Sequence, residues 1–252
     1  MKRVIIIGAT SGIGRALASF YVEAGWTVGV CGRRSALLEE LRDSFGSSVL
    51  VQEIDVADTD VARQRFADLA EELGAIDLVI ISAGTGYLDD AIPWEKERET
   101  LEINVTGFAA IAHAAFDLFR RQGFGHLAGI SSIAALRGGQ VPSYNASKAF
   151  VSNYLQGLRC RASAKRLAIS VTDIMPGFVD TAMAKGDGLF WVASPEKAAR
   201  QIFKSLEKRK NVVYVTRRWR LVAMLLRFLP EQVYRALLCR SQEKKVSPEG
   251  YN

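Results

Sequence analysis

The stretch "RVIIIGATSGIG" (3–14) decides how the rest of the chain is read. Val4 to Ile7 form an unbroken β-branched run, the pattern of a strand buried on both faces. Gly8, Gly12 and Gly14 follow at once, and an amphipathic stretch over 13–25 ends at Gly25. Glycines between a strand and a helix permit a tight turn and let a pyrophosphate approach the backbone. The helix N-terminus adds free N–H groups and the positive end of its dipole. Gly8, Thr10, Ser11, Gly12, Ile13 and Gly14 are therefore candidate dinucleotide contacts. The spacing is G-x-x-x-G-x-G rather than G-x-G-x-x-G. The competing reading is a glycine turn that holds no ligand.

Moving outward, apolar runs alternate with amphipathic ones. Strands are expected at 3–8, 27–32, 48–55, 76–84, 126–132, 168–177 and 211–215. Helices are expected at 13–25, 35–46, 58–73, 96–122 and 144–165, with another starting at Ser194-Pro195, where Ser can cap and Pro suits the first turn. Doubly buried strands alternating with helices indicate an α/β chain with a parallel sheet covered on both faces, wound in both directions. Ligands in such folds bind beyond the carboxyl ends of the strands.

The second expected strand ends at Gly32, and Arg33 and Arg34 follow where NAD binders carry a carboxylate for the adenosine ribose. Two arginines opening a helix oppose its dipole, and a guanidinium grips phosphate through several N–H donors. NADP(H) is favoured over NAD(H), with Arg33 the stronger candidate; a solvated basic turn is the alternative. Asp55, beside Val56, can accept from an adenine amino group or cap the next helix. In "YNASK" (144–148), Tyr144 and Lys148 stand one helical turn apart and share a face.

Across 252 residues, 49% hydrophobic and 24% charged, no linker or repeat divides the chain, and one domain is expected. Cys31, Cys160 and Cys239 are scattered, which suits reduced thiols in a cytoplasm. His113 and His126 have no ligand cluster near them, so no metal site is expected. The opening basic pair and short apolar run are too brief for a signal peptide, and no stretch approaches a membrane span. Residues 1–196 carry 19 Lys/Arg against 23 Asp/Glu, and residues 197–252 carry 14 against 4. The net charge of +6 thus belongs to the last fifth of the chain.

Taken in order, "GATSGIG" (8–14), "DV" (55–56), "SAG" (82–84), "NVTG" (104–107), "ISS" (130–132), "YNASK" (144–148) and "PGFVDT" (176–181) resemble the short-chain dehydrogenase/reductase (SDR) family in its compact single-domain form, over residues 3–215. The resemblance implies a doubly wound Rossmann-like fold, a seven-stranded parallel sheet with helices on both faces. It implies an oxidoreductase that passes hydride between NAD(P) and a carbonyl or alcohol. Tyr144 would be the general acid or base, Lys148 would bind the nicotinamide ribose and lower the phenol's pKa, and Asn104 would support a water in a proton relay. Ala83 and Gly84 belong to the cofactor loop, and Pro176, Gly177, Val179 and Thr181 would border the nicotinamide. A serine after the fifth strand would hold the carbonyl oxygen. The family's usual spacing to the Tyr points to Ser131, and the local pattern points to Ser132. Ser132 is preferred, with Ser131 a strand residue facing the opposite way.

These residue types suit the chemistry. Hydride arriving at a carbonyl carbon leaves a developing alkoxide that needs a proton and fixed donors, and a free phenol near pKa 10 exchanges poorly at neutrality. The chain departs from the family at Ile7, where Thr is common, and at Ile81-Ser82-Ala83-Gly84, where Asn-Asn-Ala-Gly is common. A cofactor-binding scaffold without turnover is the alternative function.

Tyr87, Leu136, Gln140, Phe178 and the stretch 183–192 are candidates for the substrate pocket. That stretch holds Gly186, Gly188, Phe190 and Trp191, which suits an apolar lid, or a surface loop anchored by two aromatics. An apolar carbonyl or alcohol is the expected substrate, and a homo-oligomer, dimer or tetramer, the expected assembly. Residues 1–216 are read as the catalytic domain and 217–252 as a basic amphipathic helical extension packed on it. In that extension Leu221, Leu225 and Phe228 share a face and Pro230 interrupts the helix. It could pack over the cleft, join another subunit or touch a membrane surface from the cytoplasmic side. Nucleic-acid binding is disfavoured, because the basic residues are interleaved with apolar ones. Residues 241–252 are expected to fray.

Overall fold

The computed structural model describes residues 1–87, 92–181 and 190–243. The candidate lid therefore lies outside the described residues except for Phe190–Val192, as does the frayed end from residue 244 on. The described residues contain seven strands: β1 (Arg3–Ile7), β2 (Thr27–Gly32), β3 (Val49–Glu53), β4 (Leu78–Ile81), β5 (Phe124–Ile130), β6 (Ala168–Pro176) and β7 (Val212–Val215). They form one parallel sheet in the order β3-β2-β1-β4-β5-β6-β7. The helices are α1 (Gly12–Glu23), α2 (Ser35–Phe45), α3 (Thr59–Leu73), α4 (Trp94–Leu101), α5 (Phe108–Gln122), α6 (Pro142–Ala164), α7 (Pro195–Glu207), α8 (Trp219–Phe228) and α9 (Glu231–Glu243).

The β-branched run explains the layering. Successive side chains of a strand point to opposite faces. Ile5 and Ile7 join the core beneath α3, α5 and α6, and Val4 and Ile6 join the core beneath α1, α2 and α7. All four are essentially inaccessible to water. Local signals set the helix starts: Asp58 accepts from the Val61 amide at 3.3 Å ahead of α3, and Ser194 accepts from the Lys197 amide at 3.2 Å ahead of Pro195. The helix expected over 96–122 spans α4 and α5 with a π-helical segment, Glu102–Gly107, between them. Such a bulge often marks a functional position, and Asn104 lies in it.

The chain winds one way from β1 through β3 and the other way from β4 onward. The loops after β1 and β4 therefore part at the carboxyl edge, where the cleft of such folds lies. Beyond β7, α8 and α9 close over that edge. The face expected from Leu221, Leu225 and Phe228 does not pack inward; all three are exposed, while Trp219 and Ala223 are buried and Leu226 partly so. The inner face is fixed by Trp219, which packs with Ile133, Met175 and Ala223. Among the described residues, no helix is long and apolar enough to cross a membrane.

Candidate active site

A cleft of about 990 Å³ opens at the carboxyl edge of the sheet. Its floor begins with the glycine turn. Gly8 has φ +89°, and a Cβ there would come within 2.4 Å of the Ala83 amide nitrogen; a Cβ on Gly14 would lie 2.0 Å from the Gly8 carbonyl oxygen. The turn is thus pressed against the end of β4 and the start of α1, with no room for side chains. Gly12, also at positive φ, faces the Thr181 methyl, 3.0 Å from its would-be Cβ.

The two arginines divide. Arg34 folds onto the turn: its Nη2 donates to Thr10 Oγ1 at 2.6 Å and Ser11 Oγ at 2.8 Å, and its Nε donates to Thr10 Oγ1 at 3.2 Å. Arg33 lies 3.9 Å from Glu99 on α4, and its side chain is 55% exposed. Both border the cleft. Asp55 Oδ1 accepts from the Ala57 amide at 3.0 Å; the cap of α3 is Asp58, so Asp55 is free of that role. Val56 is buried beside it, and Gly107 packs on its carbonyl.

On the other side, Asn104 clamps the loop after β4. Its Nδ2 donates to the Thr85 carbonyl at 2.7 Å and to Ser147 Oγ at 3.0 Å, while its Oδ1 accepts from the Thr85 amide at 2.8 Å. A Cβ on Gly84 would stand 3.0 Å from Lys148 Nζ and 3.2 Å from Asn104 Oδ1, so these side chains meet over a bare backbone. Lys148 is buried, donates to the Ile130 carbonyl at 3.1 Å and lies 5.8 Å from the centre of the Tyr144 ring.

The two serines have separate surroundings. Ser131 is buried, and its hydroxyl donates to the Asp173 carboxylate, which also accepts from Ser152 at 2.6 Å. Ser132 opens the short turn Ile133–Leu136; its Oγ accepts from the Ala134 amide at 3.1 Å, and its hydroxyl lies near the Tyr144 phenol. Burial raises the Tyr144 phenol above its ordinary value, and the nearby Ser132 hydroxyl opposes this. In the chain alone, desolvation is the largest influence on the phenol. Lys148 is itself pushed down to about 8 by burial, with Asp173 opposing.

Several contributors were not read from the sequence. Gly86 is one: a Cβ there would come within 2.4 Å of Tyr144 Cδ2. Trp219 is another. A Cβ on Gly177 would fall 2.0 Å from its Nε1, so the indole lies on the backbone that follows β6, and its buried N–H has no hydrogen-bond partner among the described residues. Trp219 also stacks on Phe190 at 5.2 Å between ring centres and meets Phe178 edge-on at 5.5 Å. Arg137 latches the extension: its Nε donates to the Leu226 carbonyl at 2.8 Å, and it also donates to the Leu229 carbonyl. Tyr234 donates to the Gly138 carbonyl at 2.6 Å. A tryptophan set among arginines was the available signal, but nothing in the pattern said which strand end it would cover.

Of the pocket candidates, Tyr87, Gln140 and Phe178 border the cleft, whereas Leu136 packs against the cluster around Trp219. The Tyr87 hydroxyl donates to Glu99 at 2.5 Å. Pro176 ends β6, the Gly177 amide donates to the Val215 carbonyl at 2.6 Å, and Val179 is buried in a bridge to Ala193.

With this geometry in view, comparison with known proteins is direct. A family model described as "short chain dehydrogenase" matches residues 2–188. An uncharacterized oxidoreductase of Myxococcus xanthus is 38% identical over 184 residues, which cover 71% of this chain and 72% of that protein. Dehydrogenase/reductase SDR family member 7B of Mus musculus is 30% identical over 97% of this chain and 82% of its own length. Among solved structures, a short-chain dehydrogenase from Sphingobium yanoikuyae in complex with NADPH shares the fold at a TM-score of 0.75 and 22% identity, covering all of this chain and 98% of that one. The chain belongs to the short-chain dehydrogenase/reductase family of oxidoreductases.

Proposed function

We propose that the protein is an NADP(H)-dependent oxidoreductase that interconverts a carbonyl compound and its alcohol, with Tyr144 as general acid in reduction and general base in oxidation. The observation that carries this reading is the meeting of Ser132, Tyr144 and Lys148 in one cleft, beside a glycine turn whose Cβ positions are blocked by backbone. The bare turn at the start of α1 fits a pyrophosphate. Arg34, Thr10 and Ser11 cluster where a 2′-phosphate would sit, and they make Arg34 a stronger candidate than Arg33 for that group. Asp55 and Val56 suit the adenine. Ala83, Gly84, Pro176, Gly177, Val179 and Thr181 suit the remainder of the dinucleotide. The bound cofactor would supply or receive the hydride.

The chain's own residues supply the rest. Ser132 holds the carbonyl oxygen and lies near the Tyr144 hydroxyl in the same cleft, so one oxygen of the substrate can face both groups. Tyr144 donates its proton as charge grows on that oxygen. Lys148, close behind the phenol, stabilises the phenolate left after transfer. Asn104 fixes the loop at Thr85 and Gly84 and so fixes the wall facing Lys148. Phe178, Phe190 and Trp219 suit an apolar substrate. The Trp219 N–H, unpartnered among the described residues, is a buried donor that a polar group in the cleft would satisfy. NADPH consumption with a panel of ketones, aldehydes and quinones, for the parent and Tyr144→Phe, tests the reading. Turnover by the parent and its loss in Tyr144→Phe with NADPH binding retained is the expected result. Equal inertness across the panel would favour a scaffold.

A further inference from the structure

Helix α8 is apolar on two opposite sides, and the function proposed above uses only one of them. The inner side, Trp219, Ala223 and Leu226, packs against the cleft. At 100° per residue, Leu221, Met224, Leu225 and Phe228 fall together on the opposite arc. They are 73%, 52%, 60% and 83% exposed. The helix cannot turn to hide this arc without withdrawing Trp219 from Gly177. Exposed Phe190 and Trp191 adjoin Trp219 at the first turn of the helix, and Val233 and Leu237 of α9 are also exposed. Four neighbouring large apolar side chains on one exposed arc exceed the scattered exposure of an ordinary surface.

The charges around the arc narrow the choice of occupant. Arg220 and Arg227 flank it on one side, and both are exposed. From 217 to 237 the chain carries five arginines against one glutamate. A second copy packed on this arc about a two-fold axis would set basic residues against their own equivalents, which is unfavourable. An anionic surface complements them, and an arginine can leave its stem among apolar groups while its head stays in the polar layer. Apolar side chains and flanking arginines on a surface helix, with the exposed Trp191 beside its first turn, are the features of a helix lying in the headgroup layer.

We propose that the outer arc of α8, Leu221, Met224, Leu225 and Phe228 with Arg220 and Arg227, docks the protein on the surface of an anionic phospholipid bilayer. The docking does not depend on the reductase reading, since it can be measured without turnover.

The test is co-sedimentation of the full chain with vesicles of phosphatidylcholine alone and of phosphatidylcholine with an equal part of phosphatidylglycerol. The chain should pellet with the second and stay in solution with the first, and raised salt should weaken the binding. The double variant Leu225→Asp, Phe228→Asp should bind at least about tenfold less well, as expected for removing two inserted apolar groups. Arg220→Gln with Arg227→Gln should bind more weakly than the parent and lose most of the salt dependence. Circular dichroism checks that each variant is folded. If the aspartate pair does not fold, the glutamine pair decides alone. Equal binding to both vesicle types, or undiminished binding by a folded variant, overturns the proposal. It is also overturned if sedimentation velocity shows a dimer that the aspartate pair dissociates, because the arc would then join two copies of the chain.

Discussion

Tyr144 rests on Gly86 with no room for a methyl group: a Cβ at position 86 would lie 2.4 Å from Cδ2 and 2.9 Å from Cε2 of the ring. The ring is held between this backbone and Ser132, and its place is set as much by the loop after β4 as by α6. Gly86→Ala should push the ring aside. A displacement of about 1 Å at a reacting group costs about 100-fold in rate. The variant is expected to lose that much in kcat while NADPH binds as before, measured by steady-state kinetics and cofactor fluorescence. An unchanged kcat would show that the ring yields without consequence.

The division between the arginines predicts unequal effects. Arg34→Ala removes the guanidinium that spans Thr10 and Ser11 and should weaken NADPH binding by about 10- to 100-fold, the loss of one or two charge-assisted hydrogen bonds. NADH binding should change little. Arg33→Ala, which frees a side chain resting near Glu99, should have the smaller effect. Titration of both cofactors with both variants checks this, and equal loss for NADPH and NADH in Arg34→Ala would remove the 2′-phosphate assignment.

Lys148 should make stability depend on alkaline pH in a defined way. Its folded pKa is about 8 and its ordinary value is 10.5. Below 8 both folded and unfolded chains hold the proton, and the cost of burying the charge is fully present. Between 8 and 10.5 the folded chain has released it while the unfolded chain has not, so stability rises with pH relative to a chain without the group. Compared with Lys148→Met, the parent's Tm should gain ground from pH 8 upward and be level with a constant offset below. A parallel pair of curves across the range would contradict the burial of the charge. Carbonyl reduction by the parent should fall through the same pH as Lys148 loses its charge, while the raised phenol keeps its proton.

At the acid end, His126 should make stability depend on pH. It is buried, hydrogen-bonded through Nε2 to Thr172 Oγ1 at 2.8 Å, and lowered to about 4, first by burial and then by Arg209. As pH falls from 6.5 toward 4 the unfolded chain takes up a proton that the folded chain refuses, so stability is lost over that window. The shift corresponds to about 3 kcal/mol. In His126→Gln the acid limb of a urea-denaturation series should be flatter by about that amount. An acid limb as steep as the parent's would assign acid sensitivity to other groups.

The sheet was legible because burial on both faces leaves a mark in composition. Val4 to Ile7 and Leu78 to Ile81 lack polar alternation, and the strands lie within a few residues of the runs that predict them. The glycine turn and the Tyr144–Lys148 pair were legible because each is a local pattern. The choice between Ser131 and Ser132 was only partly so: spacing along the chain does not say which hydroxyl meets Asp173 and which meets Tyr144, since both contacts cross between elements. The sequence left the surroundings of Arg33 and Arg34 open for a similar reason. Adjacent side chains at a helix start diverge by about 100°, and what each one reaches, Glu99 or Thr10, is a tertiary fact. The apolar stripe of α8 was visible, but periodicity alone cannot tell an inward face from an outward one when both are apolar.

Because the indole of Trp219 covers Gly177, one wall of the cleft comes from outside the residues that the family model matches. Relatives that align only through the first three quarters can share the hydride chemistry and still differ in what they accept. Exchanging the segment from β7 through α9 between two family members should then carry substrate choice with it, and a substrate named from the aligned portion alone would be named from the wrong end of the molecule.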